Sequence, residues 1–359
     1  MKTILKWPGG KEKELPLIRK YIPEFTGRFI EPFVGGGAVF FDITQKNCSI
    51  NDKSNELINL YNCTKNKNDD FVKFLEQETN EFTSLGSFVS NNKEQILALY
   101  HSEINVDNFI KQHYDTFSKL AVGNNTVFLT ELKKNLERKI KRSEKLEKEN
   151  GTISSADKLD NMEAALKSAY YMYIRYLQNN PAKLSKGQQA AVFFFIREYC
   201  YSSMFRYNNK GEFNVPYGGI SYNSKDFQKK IDYLLSDEIH QKLLNADIHC
   251  EDFETFIDSL KLTNDDFVFL DPPYDSDFST YAQNEFGHLD QIRLCECLKE
   301  TSAKILLVIK NTDFIYDLYK DNFYITSFDQ KYMVSFMNRN DRKTEHLMIT
   351  NYKTSLTSS

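Results

Sequence analysis

Long hydrophobic runs are missing from this chain. The longest unbroken apolar stretch, Ala190 to Ile196, falls far short of the roughly 20 residues that span a bilayer as a helix. The opening residues, Met1 to Lys11, lack the apolar centre of a secretion signal. Cysteine is sparse. The six residues at 48, 63, 200, 250, 295 and 297 contain no CxxC pair, and Cys295-x-Cys297 lacks zinc-site spacing. That excludes a disulfide framework and a zinc finger, and predicts reduced thiols in a cytoplasmic protein. The six histidines are scattered, so no metal site is expected. Positive charge is not in excess: 46 Lys and Arg face 50 Asp and Glu, for a net charge of −4. Attraction to a polyanion would therefore need a local basic surface. The GxGxxG spacing of dinucleotide folds is also absent.

What is present reads first as a βαβ opening. Arg28 to Phe33 is a short strand candidate, Gly35-Gly36-Gly37 a turn, and Ala38 to Thr44 the start of a helix. Cys48 to Ile50 forms a second strand that closes on Asn51-Asp52, and Ser54 caps a helix carrying Leu57, Ile58 and Tyr61 on one face. From about Asp69 the pattern turns helical and polar. Between 133 and 149 there are eight Lys or Arg and four Glu around a stripe of Leu129, Leu132, Leu136, Ile140 and Leu146, which predicts a long exposed helix. With the loop 149–157 it reads as one arm of a helical hairpin.

Gln188 to Cys200 is an apolar helix. Asn209-Lys210-Gly211 offers turn chemistry for a β-hairpin over 206–219, with Pro216 at its edge. The βα rhythm then resumes. Strands are expected at 247–250, 267–270, 304–310, 324–328 and 346–352, with a helix starting at 251–253 and another over 288–301. The fold class is α/β, a Rossmann-like sheet with helices on both faces, carrying a largely helical inserted domain. The domains expected are 1–68 with 220–353, and 69–219, itself a helical insertion (69–187) followed by the helix and hairpin (188–219). A tail covers 354–359.

The strongest chemical signal is Asp271-Pro272-Pro273-Tyr274, straight after an apolar strand. Open α/β sheets place ligands at the carboxyl ends of their strands. Two prolines stiffen the turn, so the Asp271 carboxylate and the Pro272 carbonyl can face outward as paired acceptors. An exocyclic amine on a base has two N–H donors and fits such a pair, while Tyr274 offers a ring on which the base can stack. The amine would attack a sulfonium methyl in line, with positioning as the main catalytic contribution. The glycine turn lets backbone approach a ligand at a helix N-terminus. Asp52 at the end of the second strand can accept from ribose hydroxyls, although taken alone it serves equally as a helix cap. In Lys6-Trp7-Pro8-Gly9-Gly10-Lys11, Lys11 suits an amino-acid carboxylate and Trp7 can pack on a ligand, although an exposed turn accounts for the run equally well.

Taken in order, Lys6 to Lys11, Phe29 to Phe40, Asn51-Asp52, Arg206 to Gly218 and Asp271 to Tyr274 resemble the Dam-type family of DNA adenine-N6 methyltransferases, the α-ordered, D12 class. The likeness covers 1–66 and 188–352. It implies that Trp7, Lys11, Glu31, Phe33, Gly35, Asp52 and Asp271 bind S-adenosyl-L-methionine, that Asp252 and Phe253 flank its adenine, and that Asp271, Pro272 and Tyr274 hold a flipped target adenine. It places Tyr201, Ser202, Met204, Arg206 and Pro216 at base-contacting positions, with Asn208 in the same stretch. Ser202 and Met204 differ from what GATC-reading members carry, so another adenine-containing site is as open as GATC. The resemblance implies double-stranded DNA as partner and a monomer or weak dimer, with a separately encoded restriction endonuclease as the further partner to look for. Cytosine N4, RNA or a glutamine side chain would present a similar planar amine, and a DNA-binding regulator without turnover would keep the same fold. Asn338 to Lys343, polar and near the last strand, is a further stretch that could close over DNA or the pocket, or be a solvated turn.

Overall fold

The computed structural model describes residues 1–121, 124–274, 286–329 and 345–354. Asn338 to Lys343 and most of the tail lie outside the described residues. The chain divides into two compact units, 1–66 with 235–359, and 67–234.

The first unit is built on a seven-stranded sheet: β1 (Phe29–Glu31), β2 (Cys48–Asn51), β3 (Ala246–His249), β4 (Phe267–Leu270), β5 (Lys304–Lys310), β6 (Tyr324–Asp329) and β7 (Glu345–Thr350), in the order β3-β2-β1-β4-β5-β7-β6. The five strands from β3 to β5 are parallel, with Phe29 opposite both Cys48 and Phe267, and Leu270 opposite Leu307. Only β7 runs antiparallel, between β5 and β6. Sequence explains the division. Phe-Val-Phe-Leu in β4 and Ile-Leu-Leu-Val-Ile within β5 are buried throughout, as strands covered by helices on both faces must be. Helices of this unit start on identifiable caps: Ser54 for Asn55–Lys65 and Asp252 for Phe253–Ser259. The order reverses between β1 and β4, so the carboxyl ends of these two neighbours open on a crevice of the kind that binds ligands.

The second unit is helical. Asp69–Asn91, Asn125–Asn150, Ser155–Asn179 and Lys186–Tyr199 enclose an aromatic core in which Phe82 meets Tyr170, Phe195 and Tyr199. The expected helical hairpin is present, turning at Gly151 with φ +86. On its first arm Phe128, Leu132, Leu136 and Ile140 are buried, whereas Leu146 is exposed. Many of the lysines there are answered locally, as in Lys133–Asp107 and Lys145–Glu149. The segment 220–234, grouped by sequence with the sheet, packs in this unit: Phe227 of the helix Phe227–Leu234 meets Phe194, Phe195 and Tyr199. The expected β-hairpin is reduced to a tight loop with two isolated bridges, Cys200–Tyr217 and Tyr207–Phe213. Side chains take over its closure, since Asn208 accepts from the N–H groups of Lys210 and Glu212, and Asn179 bonds the backbone of Phe213. No helix among the described residues is long and apolar enough to cross a membrane.

Glu78 is the anomaly of this core. It is buried, and neither carboxylate oxygen meets a hydrogen-bond partner among the described residues. Burial, then the nearby charge of Glu81, lifts its pKa well above the ordinary 4.5. A proton affinity raised by folding gives a contribution to stability that is whole below the unfolded value and fades as pH climbs through the folded one. Each tenfold change in that affinity is worth about 1.4 kcal/mol. Thermal melts should therefore show wild-type protein losing stability as pH rises above the ordinary carboxylate value of 4.5, and Glu78→Gln losing distinctly less. Parallel curves for the two proteins would contradict a protonated Glu78.

Candidate active site

The carboxyl ends of β1, β2 and β3 are tied together by short polar links. Asn51 donates to the carbonyls of Pro32 and Glu251 and accepts from the Glu251 N–H. After β1 the chain enters the glycine turn, where Gly35 has φ +47 and Gly37 φ +72, conformations that disfavour any side chain. Trp7 lies directly on this turn: a Cβ added to Gly35 would sit 2.7 Å from Trp7 Cδ1. The half-buried Asp52 accepts from Gly35 N–H at 3.0 Å through one oxygen and from Ser54 N–H at 2.9 Å through the other. Burial pushes its carboxyl above the usual range, against the pull of these two donors. Tyr61 completes the frame by donating to the Gly35 carbonyl at 2.8 Å.

Beside this turn, at the end of β4, Lys11 is buried and gathers three acceptors. Its ammonium donates to Asp271 Oδ1 at 2.5 Å, to the Gly9 carbonyl at 2.7 Å and to the Tyr274 hydroxyl at 3.0 Å. Burial alone would lower its pKa, but the charge of Asp271 prevails and holds the lysine protonated, above its ordinary range. Burial and the Asp271 charge push Tyr274 up to about 12, so the phenol stays neutral. That hydroxyl also meets His346 Nε2 at 3.1 Å, and the two rings lie edge to face. His346 is a buried residue of β7, opposite Lys310 and Phe328. Sequence reasoning missed it, because a single histidine in an antiparallel strand carries no motif. Gln291 donates to the Pro273 carbonyl at 3.1 Å and steadies the second proline.

Phe33, Phe253 and Phe286 form an aromatic cluster with ring centres 5.5 to 5.7 Å apart. Asp252 caps the helix that bears Phe253 and is held by Arg293 at 2.7 Å. Glu31 is buried deeper, with one oxygen lacking a partner among the described residues, and burial followed by the Asp271 charge raises its pKa well above the carboxylate range. The set thus comprises a close backbone turn under an indole, a carboxylate with acceptor capacity left, an aromatic slot and a buried ammonium. It fits an adenosine joined to a charged amino-acid tail. No group of three or more metal-ligating side chains is placed to hold an ion among the described residues.

The other predicted positions gather in the second unit. Tyr201 and Met204 are exposed on a turn in which Ser202 has φ +52. Tyr201 N–H donates to the Pro216 carbonyl at 2.8 Å. Arg206 is exposed, and its guanidinium bonds Asn214 through the side-chain oxygen (2.8 Å) and the carbonyl (3.1 Å). Asn208 is spent on its own turn.

A family model described as D12 class N6 adenine-specific DNA methyltransferase matches residues 7–150 and 127–334. Among curated proteins, the chain is similar to the type II methyltransferase M.CviBI of Paramecium bursaria Chlorella virus NC1A, at 29% identity over 98% of this chain and 100% of that one. It is also similar to the type II methyltransferase M.MjaIII of Methanocaldococcus jannaschii, at 27% identity over 98% and 99%, and to the DNA adenine methylase of Escherichia coli K12, at 24% over 87% and 81%.

The packing of Trp7 on the turn is directly measurable, because Trp7 is the only tryptophan. Gly35→Ala should cost about 1–3 kcal/mol in denaturant unfolding, from its positive φ and the indole contact, and should shift the folded-state Trp emission to the red. An unchanged emission maximum would mean that the indole does not lie on Gly35.

Proposed function

This chain belongs to the D12 class of N6 adenine-specific DNA methyltransferases, and from that premise we propose that it moves a methyl group from S-adenosylmethionine to N6 of an adenine flipped out of duplex DNA. The observation that carries this reading is the Lys11–Asp271–Tyr274 linkage at the mouth of β4, beside the glycine turn. A base inside a duplex cannot reach such a recess, so the target must leave the stack.

When bound, S-adenosylmethionine supplies a methyl group on a positively charged sulfur. Asp52 is assigned to the ribose hydroxyls, Phe33, Asp252 and Phe253 to the adenine end, and Trp7, Gly35 and, once it exchanges the Gly9 carbonyl for the ligand carboxylate, Lys11 to the amino-acid end. Glu31 is assigned to the cofactor as well, through the carboxylate oxygen that has no partner among the described residues. Asp271 and the Pro272 carbonyl accept the two N–H groups of the target amine, which aims the nitrogen lone pair, and Tyr274 stacks on the base. N6 would take the methyl from the bound sulfonium, which leaves as the neutral thioether, and the extra proton would pass from N6 to Asp271 or water during or after transfer. Keeping Lys11 on Oδ1 leaves Oδ2 of Asp271 as the acceptor for the base. In the second unit Tyr201, Ser202, Met204, Arg206 and Pro216 are assigned to reading the duplex, with Arg206 able to hydrogen-bond a guanine edge once it exchanges Asn214 for DNA. The long relatives named type II methyltransferase support a restriction–modification setting, in which the enzyme works on cytoplasmic DNA.

Sequencing that detects N6-methyladenine, applied to DNA from cells expressing the protein, should reveal one modified adenine-containing site. Asp271→Asn, which keeps an acceptor for Lys11, should lower kcat by about 100-fold or more while calorimetry still detects S-adenosylmethionine binding. Modified cytosine, or no modified base at all, would sink the assignment. His346 acts on the reaction only by holding Tyr274. His346→Phe, which keeps the ring and drops the hydrogen bond, should reduce kcat by about tenfold or more with KM for DNA little changed, and His346→Gln should recover part of the loss. Equal kcat for wild type and His346→Phe would remove that role.

A further inference from the structure

Arg197 takes no part in the chemistry above, yet it is only 1% exposed and is the largest of the fully buried side chains. It lies near the end of the helix Lys186–Tyr199. One guanidinium nitrogen donates to the Met204 carbonyl at 2.8 Å and the other to the Ser203 carbonyl. The group also stacks 3.6 Å from the centre of the Phe205 ring. Among the described residues it forms no ion pair, and its Nε has no hydrogen-bond partner. A buried cation without a counter-ion carries a large desolvation penalty, and an apolar chain of similar volume would fill the space without it. What the charge obtains instead is a grip on one short piece of backbone.

That piece is strained. Ser202 and Ser203 both have φ +52, a left-handed conformation that serine seldom adopts and that is rarer still in two residues running. The turn needs an external hold to stay there. Arg197 supplies it from inside, while Ser202 N–H meets the Tyr222 hydroxyl at 3.2 Å on the outer side. The product of the strain is the exposure of two large side chains on either flank of the serines, Tyr201 at 52% and Met204 at 36%. An unheld turn would relax toward ordinary φ values and carry both side chains with it.

We propose that Arg197 is a positioning residue for target recognition: its planar fork locks the 201–204 turn in the form that presents Tyr201 and Met204 to the duplex. The inference rests on the reading of 201–216 as the DNA-contacting segment. Two parallel N–H donors fix the peptide planes of successive residues, which a lysine ammonium cannot do because it is a single rotating point charge.

The test compares wild type, Arg197→Met, Arg197→Lys, Tyr201→Ala and Met204→Ala. The probes are duplex oligonucleotides carrying the site found by methyladenine sequencing, and the same duplexes with one base pair of that site changed. The readout is the ratio of kcat/KM between the two, with S-adenosylmethionine binding by calorimetry as a control that a merely structural lesion would disturb. Both Arg197 variants should lose about tenfold or more in that ratio and bind the cofactor as wild type does. Arg197→Lys decides the matter if Arg197→Met does not fold. A wild-type ratio in a folded Arg197 variant overturns the proposal when Tyr201→Ala and Met204→Ala lose discrimination. Wild-type ratios in those two as well would instead overturn the reading of the turn as a DNA contact, and the proposal with it.

Discussion

One buried ammonium organises the reactive end of the sheet. Lys11 comes from the first turn of the chain, and Asp271 and Tyr274 from a segment 260 residues later, yet the three meet within 3.0 Å. A lysine in that position without Asp271 would be an unpaired buried charge, and Asp271 without the lysine would be driven toward its neutral acid form. The ion pair therefore fixes three things at once. It docks the N-terminal segment, it opposes the burial that raises the Asp271 pKa, and it orients the phenol through a hydroxyl that His346 holds from the other side.

The parallel sheet explains why these groups can converge at all. Each parallel strand ends on the same edge, so residues far apart in sequence arrive together without long loops. Asn51 shows how tightly that edge is drawn: one side-chain amide satisfies backbone groups that follow β1 and β3. The glycine turn is then pressed from two sides, by Trp7 above and Tyr61 below. Trp7 leaves no room for a side chain at Gly35, and Phe41 with Tyr61 leaves little at Gly37, so backbone is what a ligand can approach there.

Much of this edge was legible in the sequence because its signals are local. An apolar strand that runs into Asp-Pro-Pro-Tyr, a glycine triplet after a strand and an aspartate after the next strand each announce themselves within ten residues. β4 and β5 fall where apolar runs bounded by polar residues put them. What was not legible depends on partners remote in sequence. His346 has meaning only because β7 is inserted between β5 and β6, which brings its side chain beside Tyr274. The helix Phe227–Leu234 has an apolar face that suits either unit, and only the meeting of Phe227 with Phe194 decides between them. The hairpin failed for a different reason. Its turn chemistry is real and half the ladder forms, from Asn208 N–H to the Glu212 carbonyl and from Asn214 N–H to the Arg206 carbonyl, but the Arg206 and Asn208 side chains take the opposing Asn214 carbonyl and Glu212 N–H.

Arg197 and Lys11 solve the burial of charge in opposite ways, and the contrast bears on how such an enzyme can change its target. Lys11 is bound to the identity of its partners: a carboxylate and a phenol, the two groups to which the proposed reaction assigns the target base. Arg197 is bound to carbonyl oxygens, which every residue has. The side chains on the 201–204 turn can therefore be replaced without disturbing what holds the turn, whereas Asp271 and Tyr274 cannot be replaced without unpairing Lys11. Tyr201 and Met204 are exposed and lend little to the core. In physical terms the chemical site is constrained through side chains and the recognition turn through backbone. Under the proposed roles, that separation would let target sequence drift on a scaffold whose Lys11–Asp271–Tyr274 geometry stays fixed.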